Sequence, residues 1–222
     1  MAAGALTQQI IDRVRLRIGE ITPAMILDTE VALFITEAQR DLVWRLPDPA
    51  LWCVTSMTTT AIGAGDDFYL FEAADNAAND FVREISVQWK DTYAKRWEVA
   101  HLAKLSGPTD LVASDTSPFY LIQALGIKFI VGEVTAAANF IVTYIQLPAD
   151  IDIDVGSVEP ELTQMFFPAI EDYVVSRCLE SRLESQESDK AFIAYLDKCA
   201  SIENSYVEGR DVGPYQRAGG RR

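Results

Sequence analysis

The chain has 222 residues, 49% of them hydrophobic and 23% charged, with a formal net charge of −14 at pH 7. That length can bury a real core as one domain, or as one domain with an insertion, and the composition excludes a collagen-like chain or extensive disorder outside the tails. The charge excludes a groove built to wrap nucleic acid, because binding phosphate needs clustered Lys and Arg to replace counterions; an acidic surface serves solubility, or lines a path past which DNA slides without sticking.

Three widely spaced cysteines, Cys53, Cys178 and Cys199, include no CxxC pair. They suggest neither a disulfide framework nor a structural zinc site, and fit a reducing compartment. No apolar run approaches the roughly 20 residues that cross a bilayer, and charges interrupt the N-terminal apolar residues, so a soluble protein made in the cytoplasm is expected.

Leu6, Ile10, Ile11, Val14 and Ile18 recur at helical spacing, and Gly19 follows as a stop. Arg13, Arg15 and Arg17 read as a basic cluster, on the solvated face of this first helix or in contact with an acidic partner or phosphate. A short connection with Pro23 leads into Asp28–Leu46. There Val31, Phe34, Ile35, Ala38, Leu42, Val43 and Leu46 form one apolar stripe. This is expected to be the organising helix of a small bundle, capped by Asp28 or Thr29 and ended by Pro47 and Pro49.

After Pro49 the period changes. Leu51–Thr60, Phe68–Phe71, Phe81–Trp89, Arg96–Leu102, Phe119–Ala124, Lys128–Val131 and Phe140–Leu147 read as short strands separated by turn residues. They predict a small antiparallel sheet in which the last three runs form a meander with a tight turn at Gly126. Trp89 and Trp97 are expected to pack in its core or rim. Asp66 and Asp67 carry turn chemistry, and His101, the only histidine, has no nucleophile motif or second histidine beside it. Asp150–Glu161 places acids as a calcium loop does, but Val155 occupies the position that such a loop reserves for glycine.

Helical period returns over Glu159–Leu183, where Pro168 should kink or delay the helix, and over Ser188–Val207, capped by Ser188 and stopped by Gly209. The short polar linker makes the two a helical hairpin. Gly209–Arg222 carries four arginines against one acid and is too polar and glycine-rich to build a core: it predicts a detachable basic arm, either a disordered end or a tail that orders on a neighbouring acidic subunit. The fold class is therefore α+β. Residues 1–49 and 151–208 supply two helices each to a bundle, 50–150 form an antiparallel β-rich insertion, and 209–222 an extended C-terminal arm.

Three stretches, TEVALFITEAQRD from Thr29 to Asp41, YIQLP from Tyr144 to Pro148 and EPEL starting at Glu159, resemble the head-to-tail adaptor (connector) proteins of tailed bacteriophages. The resemblance runs from about Leu6 to Val207. It implies a non-enzymatic virion protein without cofactors, synthesised in the host cytoplasm and placed in the neck. It further implies a bundle bearing an embracing β-rich domain, assembled as a twelve-subunit ring beneath the portal protein. Such a ring extends the DNA channel without binding DNA specifically and presents a platform to tail or nozzle proteins. The C-terminal arm would reach the portal, with Arg210, Arg217, Arg221 and Arg222 on portal carboxylates and Tyr215 beside Pro214 as an apolar anchor. Crowding acidic subunits calls for pairing across the joints, and Arg13, Arg15, Arg17, Arg40, Arg45 and Lys95 are the candidates. The rival readings are another neck or tail-completion component, and a metal-dependent hydrolase using the acids around Asp66 and Asp150.

Overall fold

A computed structural model describes residues 4–20, 25–62, 68–70, 81–97, 117–123, 126–130, 138–153 and 159–210. Two compact units divide the chain, one made of Met1–Val54 with Pro148–Arg222 and the other of Thr55–Leu147.

The first unit is the helical one. Helix α1 (Ala5–Ile18) buries Ile10, Ile11, Val14 and Ile18 and stops at Gly19, whose φ of 69° is the left-handed conformation that glycine adopts without strain. Helix α2 (Asp28–Arg45) buries the expected stripe, although Phe34 is only half-buried. Neither Asp28 nor Thr29 caps it. Leu27 holds the cap position, and its N–H donates to the Glu30 carboxylate at 2.7 Å while its carbonyl accepts the Glu30 N–H. Asp28 is already inside the helix, where its carboxylate is taken by Arg15.

Helix α3 (Phe167–Ser181) starts later than its apolar period suggested. A 3-10 turn at Gln164–Phe166 precedes it, and Pro168 sits in its first turn. Proline has no N–H and its ring would clash with the carbonyl four residues earlier, so a helix running from Glu159 through Pro168 is disfavoured. Helix α4 (Ser185–Arg210) starts three residues before Ser188, which is buried inside it, hydrogen-bonded to Ser176 of α3. At its far end Gly209 does not stop the helix, and the expected arm gives Gly209 and Arg210 to α4. A single glycine costs a helix only about 1 kcal/mol, which neighbouring turns can absorb. The α3–α4 hairpin turns through Leu183 at φ 62°, and Tyr173 of α3 meets Tyr195 of α4 edge-on at 5.2 Å.

It is α3 that packs most broadly, against α1, α2 and α4, while α2 packs on α1 and α3 and reaches α4 through the bond from Tyr195 to Asp41. The buried α3 residues Phe167, Ala169, Ile170, Val174, Val175, Cys178 and Leu179 cover more than one face, which a single apolar stripe does not reveal.

Among its described residues the second unit contains two four-stranded sheets instead of one. Strands β1 (Thr55–Ile62), β3 (Phe81–Trp89), β4 (Thr92–Tyr93) and β8 (Ala138–Gln146) lie in the order β1-β8-β3-β4, all antiparallel. Strands β2 (Phe68–Leu70), β5 (Lys95–Arg96), β6 (Phe119–Gln123) and β7 (Gly126–Ile130) lie in the order β2-β7-β6-β5, with β5 parallel to β6. The expected meander is therefore broken. β6 and β7 pair as a hairpin with Gln123 opposite Gly126, but β8 leaves them to become a central strand of the other sheet. Gly126 opens β7 and is not itself the turn. Val142 and Ile145 of β8 are fully buried, and β1 and β3 satisfy its backbone on both edges, a placement that local sequence cannot specify. Trp89 is buried, and Trp97 packs on Phe119 with ring centroids 4.4 Å apart. Arg96 reaches across from β5 to Glu84 of β3, and burial together with Glu84 pushes the nearby Tyr120 phenol up to about 12.

Candidate functional site

The six cations expected to pair across joints, Arg13, Arg15, Arg17, Arg40, Arg45 and Lys95, lie in unlike environments. Residues two apart on a helix point to opposite sides, so Arg13, Arg15 and Arg17 do not share one solvated face. Arg15 turns inward and is 5% exposed. Its Nε donates to Asp28 at 2.9 Å and its Nη2 to the Ile26 carbonyl at 2.9 Å. Glu20, beside it, accepts the N–H groups of Met25 and Ile26 at 2.9 and 3.2 Å. Arg15 and Glu20 thus fasten both edges of the α1–α2 connection, and the Arg15 charge is consumed inside its own subunit.

Arg17 points to α3, 2.6 Å from the buried carboxylate of Asp172, which also pairs with Lys198 of α4. One buried acid therefore ties α1, α3 and α4. Arg13 reaches Glu171 at 2.9 Å and Arg40 reaches Asp150 at 2.9 Å, but both guanidinium groups keep a large exposed surface. Arg45 pairs with Asp41, and that bond holds its pKa above the ordinary arginine value. The same Asp41 oxygen accepts the hydroxyl of Tyr195, whose pKa is raised by burial and by that bond. Lys95 is exposed on β5. Of the arm residues, Arg210 ends α4, while Pro214, Tyr215, Arg217, Arg221 and Arg222 lie outside the described residues.

Three anchoring residues carry no local signal in the sequence. Glu159 accepts the N–H groups of Leu6 and Thr7 at 2.9 and 3.2 Å and so caps α1 from more than 150 positions away. A Cβ at Gly4 would come 2.5 Å from that carboxylate, so a larger residue at the head of α1 would push the Glu159 side chain aside. Gln39, fully buried on α2, accepts the N–H groups of Glu161 and Leu162 at 2.9 and 3.3 Å, and Thr36 accepts that of Ile151 at 3.0 Å. The EPEL stretch is thus a clasp that fixes the segment entering α3 to α1 and α2.

Catalytic candidates fare differently. Asp66, Asp67 and His101 lie outside the described residues. Asp150 is paired to Arg40, and Glu161 accepts the Ala149 N–H at 2.9 Å. Among the described residues no group of three His, Cys, Asp or Glu side chains could hold a metal ion, and no helix is long and apolar enough to cross a membrane. A cleft of about 420 Å³ is lined by Asp41, Arg45, Tyr173, Arg177, Glu180 and Phe192. Its two arginines are already paired, Arg45 with Asp41 and Arg177 with Glu180 at 2.6 Å. The three cysteines are free thiols, and burial pushes that of Cys178 up to about 12, far from a reactive thiolate.

What the helical unit does offer is apolar surface. Trp44 and Trp52 are 60% and 65% exposed, as are large parts of Leu16, Met25, Leu27, Leu33 and Leu183. Two exposed tryptophans are unusual on a lone subunit and typical of residues that anchor protein interfaces. Trp44 lies outside the apolar stripe of α2, and that was the signal for it in the sequence.

No curated protein matches this chain. The model of the SU10 adaptor protein family matches residues 6–214, a span that takes in both units and all the helices described above. The chain therefore belongs to the SU10 adaptor protein family, a family of phage head-to-tail adaptors, and is a structural protein of the virion.

Proposed function

We propose that this adaptor works as a ring, with twelve copies beneath the portal protein, extending the DNA channel and giving tail or nozzle proteins their attachment platform. The observation that carries the proposal is the family match across residues 6–214, supported by the exposed apolar anchors of the helical unit. A cyclic ring joins two different faces of each subunit, so apolar patches on more than one part of the helical unit suit it better than a single self-complementary patch. We assign the joints to Trp44, Leu33 and the exposed ends of Arg13, Arg17, Arg40 and Arg45, with Lys95 contributed by the β-rich insertion, which embraces the neighbouring subunit. Arg15 takes no part, being enclosed in its own chain. The arm docks the portal through Arg210, Arg217, Arg221 and Arg222 on carboxylates, with Tyr215 and Pro214 as the anchor. DNA passes an acidic wall without adhering.

Light scattering of the purified protein, alone and mixed with portal rings, tests this. A complex carrying many adaptor copies per portal is expected. An adaptor that stays monomeric and indifferent to the portal overturns the reading in favour of a different neck or tail-completion role.

A further inference from the structure

At the end of the helical unit where α4 finishes, the surface is aromatic and thioether-rich. Trp52 and Met165 are both exposed, and the hydroxyl of Tyr206, in the last turns of α4, lies 3.7 Å from the Met165 sulfur. Cys53, next to Trp52, is hydrogen-bonded by the Thr163 backbone, two residues before Met165. The Asp48–Ala50 turn packs on α4. Met165 and Tyr206 therefore meet in the last turns of α4, and the Cys53–Thr163 bond ties the segment carrying Trp52 to the one carrying Met165. Asp48 is half-buried on that turn, and Glu203 is exposed one turn before Tyr206.

Residues 211–222 start five residues after Tyr206 and, fully extended, reach about 40 Å. Their chemistry is complementary to this surface: Val212, Pro214 and Tyr215 are apolar, and Arg217, Arg221 and Arg222 stand against the single acid Asp211 on a chain whose net charge is −14. A short tether also holds the segment at an effective concentration of about millimolar, far above that of any second copy in dilute solution. We propose that in the free subunit residues 211–222 fold back on their own chain, laying Pro214 and Tyr215 over Trp52 and Met165 and turning the arginines toward Asp48 and Glu203. The covered state stands without the portal reading. Its consequence rests on that reading: the arm must leave this surface before it can grip a portal, which keeps free subunits from presenting a sticky end.

The test is acrylamide quenching of tryptophan in the full chain carrying Trp44→Phe, which leaves Trp52 as the exposed tryptophan because Trp89 and Trp97 are buried. The native arm is compared with one carrying Tyr215→Ser, Arg217→Glu, Arg221→Glu and Arg222→Glu. The altered arm is expected to raise the Trp52 quenching constant about twofold and shift its emission to the red, with an unchanged circular dichroism spectrum and no dependence on protein concentration. Conversely, Trp52→Ser should speed tryptic cleavage after Arg217 several-fold. Equal quenching with both arms overturns the proposal, as does a difference that vanishes on dilution, which would mean that the arm of another copy covers Trp52. Portal binding is scored separately with the same variants. Lost portal binding with unchanged quenching removes this proposal alone, whereas altered quenching with retained portal binding removes the arm's docking role alone.

Discussion

Asp172 is the residue on which the helical unit concentrates most electrostatic risk. Its carboxylate is buried while Arg17 and Lys198 are each about 40% exposed at the side chain, so the cations can rehydrate but the acid cannot. Removing one cation leaves the other in place, and either Arg17→Ala or Lys198→Ala should cost under about 1 kcal/mol. Removing both strands a buried charge and should cost about 2–4 kcal/mol, with Asp172→Asn restoring much of the loss. Urea midpoints of the four variants check this, and additive single losses would refute the shared-carboxylate account. A second residue-scale expectation concerns alkali. Cys178 and Tyr120 have folded pKa values raised by burial to about 12 from ordinary values of 9.0 and 10.0, and that of Tyr195 is raised too. Each group binds its proton more tightly when folded, so its stabilisation is complete below the unfolded pKa and is lost as pH rises through the folded one. Stability should fall from about pH 9 upward, by as much as about 1.4 kcal/mol per pH unit for each such group. Cys178→Ala should flatten the first part of that fall, as measured by urea unfolding between pH 8 and 11.

At the scale of elements, the clasp from Glu159 to Leu162 decides how α1 and α2 meet the segment entering α3. Two N–H groups at the head of α1 depend on one carboxylate, and the partial positive charge of the helix end strengthens both bonds. Glu159→Ala should cost about 1–2 kcal/mol and fray α1 first, visible as early amide exchange at Leu6 and Thr7. If those amides remain as protected as in the parent, another group is capping the helix. The period of α1 was legible because its buried residues repeat at three and four. Its cap was not, because a glutamate more than 150 positions away follows no local rule. The same holds for α4: its apolar repeat is plain, but Ser188, which has the composition of a cap, is drawn inside by the partner Ser176 on α3.

For the whole molecule, the chain leaves the helical unit at Val54 and returns at Pro148, and the β-rich unit opens and closes on the antiparallel pair Thr55 and Ile145. The two crossing points of the backbone are therefore neighbours, and a short Gly-Ser linker can replace residues 55–147. The resulting bundle is expected to fold with a cooperative thermal transition and a strong helical signal at 222 nm, since its helices pack on one another. A shapeless melt would show that the bundle depends on the insertion. Assembly belongs to this scale too. With each copy at −14, raising ionic strength from about 50 to 500 mM screens repulsion between subunits and should move the mass distribution toward oligomers.

By itself the sequence determined the alternation of helical and strand-like stretches, the four-helix frame with a β-rich interruption, the acidic character and the likeness to phage adaptors. Each of these depends on local periodicity, composition or a contiguous motif. Only the tertiary structure decided that α3 has the broadest packing, that the eight strands among the described residues divide into two sheets with β8 in the first, that Arg15 serves the interior, and that Trp44 and Trp52 are left facing water. Those outcomes depend on which distant segments meet. Burial, strand partner and cap donor are properties of the meeting, and no spacing along the chain encodes them.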